Sequence, residues 1–102
     1  MIIIYNSKIA KLLKVNAFTW GKKVFVNGAT ISPKTKRHEA IHIAQYAELG
    51  KFMFMFYYLL DWIKKFSYRR IRLEQEAYKY DSVIFKDYLK TRVKFAWKKF
   101  KV

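Results

Sequence analysis

The 102-residue chain contains no cysteine, one proline and three glycines. Without cysteine there is no disulfide and no thiolate metal site, and redox chemistry says nothing about the compartment. So little proline and glycine leaves the chain almost unpunctuated, which favours long regular elements. Acidic side chains are scarce too: 7 Asp+Glu stand against 22 Lys+Arg, a formal net charge of +15. The longest apolar run, FMFMFYYLL from Phe52 to Leu60, falls far short of the roughly 20 residues of a membrane-spanning helix. The first residues, MIIIYNSKIAKLL, lack a basic leader, an extended apolar stretch and a small-residue cleavage site. No signal peptide is expected, and the expected location is the cytoplasm, or a virion into which the protein is packaged.

What the chain does have is apolar and aromatic mass. With 53% hydrophobic and 20% aromatic residues it can bury a core, which argues against intrinsic disorder. Its length suits a single compact domain over 1–102. The positive charge attracts phosphate polymers, anionic lipid or acidic proteins without choosing among them. A Lys, Ile, Tyr and Phe bias also fits an AT-rich coding sequence, which would make part of that charge compositional.

The expected fold is α+β and mostly helical. Residues 2–31 read as short strands and turns: IIIY, AFTW and KVFV are β-branched or aromatic, and Gly21 and Asn27-Gly28 are turn signals. A β-hairpin or small sheet follows, with Lys8 to Leu13 open between a helical turn and a strand. ISPKTKRHEAIHIAQYAELG then reads as a helix, with Ser32-Pro33 or Thr35 at its start and Gly50 past its end. Ala40, Ile43, Ala44 and Ala47 form its apolar face. KFMFMFYYLLDWIKKF is apolar almost all round, as a buried central helix would be. The remainder is one long basic helix or two. It ends in a basic amphipathic extension over about 82–102, where Phe85, Leu89, Val93, Ala96, Trp97 and Phe100 recur at helical spacing.

The chemistry concentrates in RHEAIHIAQ, which holds both histidines of the chain. His38-Glu39-Ala40-Ile41-His42 is an HExxH motif. Four residues apart on a helix, the two imidazoles share a face and can reach one ion. Glu39, turned by about 100° from His38, stands beside such an ion and not on it, where a general base takes a proton from bound water. By simple counting, two histidines in this register with a glutamate after the first arise by chance in about 0.1% of arrangements. Nitrogen and carboxylate ligands without thiolate favour Zn2+. Catalytic zinc takes three protein ligands, and with no third histidine and no cysteine the third must be a carboxylate or another oxygen donor. Glu48 lies about 9 Å of helical rise beyond His42, too far to share the ion. Asp61 borders the site at best. The acidic cluster RLEQEAYKYD offers Glu74, Glu76 and Asp81 on a second helix that could cross the first.

HExxH followed downstream by a helical E-x-x-A resembles the gluzincin zinc metallopeptidases, here in Glu74-Gln75-Glu76-Ala77. The resemblance covers roughly residues 20–81 and includes the turn-strand-helix lead-in of small stand-alone bacterial and phage metallopeptidase-like proteins. It implies Glu74 as third metal ligand, with Glu76 as the alternative if the register differs. Without that shift, Glu76 is expected on the surface beside Arg72 or Lys79. Several branches continue Ala-Asp where this chain has Tyr78, which leaves Asp81 as the nearest substitute for that acid. Gln45 matches an HxxQ ending seen in some small relatives. Asp81 and Gln45 are therefore expected to orient the histidines from behind.

The expected activity is zinc-dependent hydrolysis of peptide bonds, with Glu39 as general base and Tyr78 as a candidate donor to the oxyanion. The partner would be a peptide or protein substrate, which KVFV could hold along its edge. About 100 residues leave little room for a deep cleft, so a larger assembly could complete the groove. The competing reading is a basic nucleic-acid-binding or virion structural protein that keeps a structural or degenerate zinc site. Lys34, Lys36, Arg37, Arg69, Arg70, Arg72 and the C-terminal helix through Lys101 would meet phosphate there, and the C-terminal helix could instead lie on an anionic membrane surface.

Overall fold

The computed structural model describes residues 1–66 and 70–100. Arg69 and Lys101, both expected in basic patches, lie outside these. The fold is α+β: a three-stranded sheet built from the first quarter of the chain, followed by helices. The strands are β1 (Ile2–Ile4), β2 (Ala17–Trp20) and β3 (Lys23–Val26), in the order β1-β3-β2. β3 runs parallel to β1, with Ile3 opposite Val24, and antiparallel to β2, with Phe18 opposite Phe25. Phe18 and Phe25 stack across the pair at 4.8 Å. Alternation sends Val24 and Val26 inward. The ambiguous segment is helical: α1 (Lys8–Leu12) starts where the Ser7 hydroxyl accepts from the Ala10 amide.

β2 and β3 are joined by a tight turn whose Gly21 has φ +64°, and a Cβ there would lie 2.6 Å from Cε of Lys51. The left-handed backbone favours glycine here, whereas the flexible Lys51 side chain could move aside. This hairpin makes β3 central. The KVFV strand, expected to offer an edge to substrate, has β1 on one side and β2 on the other. The edge that remains beside the helices belongs to β2.

α2 (Pro33–Lys65) begins as expected, with Ser32 capping the Thr35 amide and proline in the first turn; Thr35 is not the cap. Gly50 stands past the end of the first helical segment, as expected. It takes φ +79°, ψ 160° and bends the axis, so segments 33–49 and 51–65 follow each other across a kink. Tyr46 and Phe54 stack at 3.7 Å across the bend. Of the expected apolar face only Ala40 is buried; Ile43 and Ala44 are half-buried and Ala47 is exposed, while Glu39, Ile41, His42, Gln45 and Tyr46 turn inward. The apolar spacing was offset from the inner face because polar residues occupy part of the interior here. Among the described residues the second segment buries only Phe54 and Asp61, and much of its outer side is exposed.

The C-terminal third forms separate helices, α3 (Arg72–Tyr80) and α4 (Phe85–Thr91), then a short 3-10 turn at Ala96–Lys99. Asp61 caps α3: its carboxylate accepts from the Arg72 amide at 3.1 Å and from the guanidinium at 3.0 and 3.1 Å. Negative charge at a helix N-terminus is favourable, so Asp61 serves the fold and does not border the site. Helical spacing fails after Thr91, where Arg92 turns to φ −70°, ψ 127°. Of the residues expected on the apolar face, Leu89 within α4 and Val93 beyond it are exposed and Trp97 is buried, while Tyr88 is buried beside them. Trp97 closes the main core of Tyr46, Phe54, Ile71 and Leu73, and Tyr88 joins Ile41 and Ala77 in a second one. Among the described residues no helix is long and apolar enough to cross a membrane.

Candidate metal centre

α2 and α3 cross so that His38, His42 and Glu74 meet. One ligand atom from each lies within 4.8 Å of the other two. Oε1 of Glu74 is 3.0 Å from Nε2 of His38 and closer still to Nε2 of His42. The expected set thus comes together, and Glu74 holds the third position. Glu76 does not: two residues on, it faces the other side of α3 and is fully buried against Gln45 and Arg92. It therefore stands outside this group, and it is not the surface residue expected beside Arg72 or Lys79.

The far nitrogens are occupied as well. Nδ1 of His42 lies 2.8 Å from Oε1 of Gln45, and Nδ1 of His38 lies 3.3 Å from Oδ2 of Asp81. Gln45 has no choice of orientation, because its amide nitrogen donates to the carbonyl of Leu73 at 2.9 Å and to Glu76 at 2.7 Å. Its oxygen must then face His42 as acceptor, so Nδ1 of His42 carries a proton. In the neutral ring this leaves the Nε2 lone pair pointing at Glu74. Asp81 is itself fixed, its backbone carbonyl accepting from Nε of Arg37 at 2.7 Å. Both residues expected behind the histidines stand there.

Two contacts had no signal in the sequence. The Tyr58 hydroxyl donates to Oε2 of Glu74 at 3.1 Å, leaving Oε1 for the histidines. The Thr19 hydroxyl, inward on β2, donates to Oε2 of Glu39 at 2.5 Å. Thr19 sits on the same strand face as Ala17, which alternation would give, but nothing in AFTW says that this face meets Glu39. Tyr46 ties the strand to the helix, donating to the carbonyl of Thr19 at 3.0 Å.

Charge is concentrated here. Burial pushes the His42 imidazole down, but Glu74 beside it, with Glu39 and Gln45, outweighs this and lifts its pKa to about 9. Burial likewise pushes the Glu74 carboxyl up, and the two histidines more than reverse this, holding it well below the usual carboxylate range. In the metal-free protein the pair is a buried imidazolium–carboxylate.

The group opens onto a cleft of about 870 Å³ that runs from the loop before β2, along that strand, to Glu39, His42, Glu74 and Tyr78. It is larger than the chain length suggested. The Tyr78 ring leans against His38 at a tilt of 56°, centroids 4.6 Å apart, and is partly in solvent. Several basic residues expected to face phosphate are used internally: Arg37 on Asp81, Arg72 on Asp61, and Arg92 on Glu48 and Glu76. Compared with known proteins, the chain matches no family model, no curated protein and no solved structure. The likeness to gluzincins therefore rests on these residues alone.

Proposed function

We propose that the protein is a zinc-dependent hydrolase of the metallopeptidase type. The observation that carries this reading is the convergence of two Nε2 atoms and one Glu74 oxygen on a cleft that Glu39 also lines. The donor set fits zinc: two imidazoles and a carboxylate, with Gln45, Asp81 and Tyr58 holding their far atoms. His38, His42 and Glu74 would hold the ion, which when bound supplies a Lewis acid that acidifies water and polarises a carbonyl.

The chain's own residues do the rest. Glu39 accepts a proton from the attacking water and returns it to the leaving amine. The Thr19 hydroxyl on Oε2 of Glu39 fixes the carboxylate and leaves Oε1 for that transfer. Tyr78, on the cleft wall beside His38, is placed to donate to the developing oxyanion. The β2 edge can pair with an extended peptide through its backbone, the role expected of KVFV. The substrate would thus be a peptide or protein segment, supplied in the cytoplasm, in a virion or within a larger assembly.

Elemental analysis of protein purified without chelators is expected to find one zinc per chain, lost in His42→Ala. Glu39→Gln should keep the zinc and lower cleavage of an unstructured protein by roughly 100-fold or more. Zinc-free wild type would sink the proposal. Zinc with no cleavage, and no difference in Glu39→Gln, would reduce the centre to a structural site in a basic virion or nucleic-acid protein.

A further inference from the structure

The second segment of α2 has an outer face that the fold does not use. Phe52, Phe56, Leu59, Ile63 and Phe66 recur at spacings of four and three, so they form one stripe, about 21 Å long at helical rise. All five are at least half exposed, Phe52 at 88%. A contiguous apolar stripe of this kind marks a contact surface. Lys51 and Lys64 stand about 100° to either side of it, and both are exposed.

The electrostatics decide what covers it. Of the seven side-chain carboxylates of the chain, Glu39, Glu48, Asp61, Glu74, Glu76 and Asp81 point into the interior, each buried or nearly so. Only Asp87 is exposed. The exterior is therefore almost purely cationic, more so than the net charge conveys. A second copy would bring the same charge against itself and is disfavoured. A nucleic acid satisfies the cations, but Leu59 and Ile63 have nothing to offer phosphate or base edges. An anionic lipid surface satisfies both features: acyl chains take the stripe, and headgroups meet the lysines that rim it. The segment is too short and too charged to cross the bilayer, so it lies in the plane of the interface.

We propose that the protein binds anionic membrane surfaces through the outer face of residues 51–66, its Phe52–Phe66 stripe entering the headgroup boundary. This moves the expected polyanion contact from the C-terminal helix to α2, and it stands independently of the metal centre. Both ends of α2 then serve one purpose, because Phe54, Met55 and Tyr58 on the same segment line the cleft. A surface-bound protein would hold that cleft beside the bilayer.

The test is sedimentation with phosphatidylcholine vesicles, with and without about 30% phosphatidylserine, using wild type and Phe56→Ser/Ile63→Ser. Both positions are exposed, so the variant should fold, as circular dichroism melts would check; Phe52→Ser alone serves if it does not. Wild type should bind the anionic vesicles and not the zwitterionic ones, and the variant's partition coefficient should fall roughly tenfold or more. No binding to anionic vesicles would overturn the proposal, and so would equal binding by the variant, which would reduce the contact to charge. A wild-type dimer in sedimentation equilibrium that the variant breaks would give the face to a second copy. Equal loss of affinity for a single-stranded oligonucleotide would give it to nucleic acid.

Discussion

Arg92 offers the sharpest test of how this small fold holds its charges. Its guanidinium sits between two buried carboxylates, donating to Glu48 at 2.8 and 3.2 Å and to Glu76 at 3.2 and 3.3 Å. The side chains of Arg92, Glu48 and Glu76 are 9%, 8% and 0% exposed. Burial pulls the Arg92 charge down, and these partners more than restore it, pushing its pKa above the ordinary value. Arg92→Met would leave two buried carboxylates without a cation. Removing one member of such a group costs about 3–5 kcal/mol. A domain of this length has roughly 5–15 kcal/mol in total, so the variant should lose about a fifth of its stability at the least, and much more if the domain is marginal. Its melting temperature should drop on the order of 20 °C.

Urea unfolding followed by circular dichroism measures this directly, with Glu48→Gln/Glu76→Gln/Arg92→Met as the control. The amides of that triple variant can still accept from the Phe95 amide and from Gln45, the contacts that Glu48 and Glu76 now make. It should therefore recover most of the loss, because the penalty lies in the unpaired charge and not in the missing arginine. An Arg92→Met cost below about 1 kcal/mol would be the behaviour of a surface pair and would refute the reasoning.

Two further outcomes concern the centre itself. Gln45→Leu removes the acceptor on Nδ1 of His42 and should weaken zinc about 10–100-fold in a chelator competition, with the fold retained; unchanged affinity would remove Gln45 from the site. In the metal-free protein the His42 pKa is raised from 6.5 to about 9, so its stabilisation is complete below 6.5 and disappears as pH rises through 9. Glu74, held low, adds stability above 4.5 that is lost as pH falls. Urea unfolding in excess chelator should find the protein about 3 kcal/mol less stable at pH well above 9 than near 6; equal stability would contradict the buried ion pair.

The centre was more legible in the sequence than the fold around it. HExxH fixes its own geometry, since helical spacing alone aligns His38 and His42, and Gln45 follows one turn later. Glu74 was nameable from E-x-x-A, and only its helix had to cross α2. Edge and face were not legible. KVFV reads as any strand, and its central place depends on the short β1 returning parallel to it, a pairing that no local pattern encodes. The inner face of α2 was missed in part because a polar cluster stands where apolar periodicity expects a core. Arg92 was hidden among six other basic residues after position 85, with nothing in the sequence to set it apart.

The inward turn of Arg92 explains more than one residue. A protein with seven acids and 22 bases has few carboxylates to place, and it places nearly all of them inside. Each has a task there: Glu74 and Asp81 on the histidines, Glu39 on Thr19, Asp61 at the start of α3, Glu48 and Glu76 on Arg92. Burying a carboxylate is costly unless it is paired or hydrogen-bonded; five of these six face a histidine or an arginine, and Glu39 accepts from the Thr19 hydroxyl. The cationic exterior is then the complement of this arrangement, and a compositional origin for the lysines does not compete with it. The same allocation that brings His38, His42 and Glu74 together leaves the outer side of residues 51–66 facing solvent with apolar side chains rimmed by lysine. The metal centre and the lipid-facing stripe thus share one cause, the confinement of negative charge to the interior.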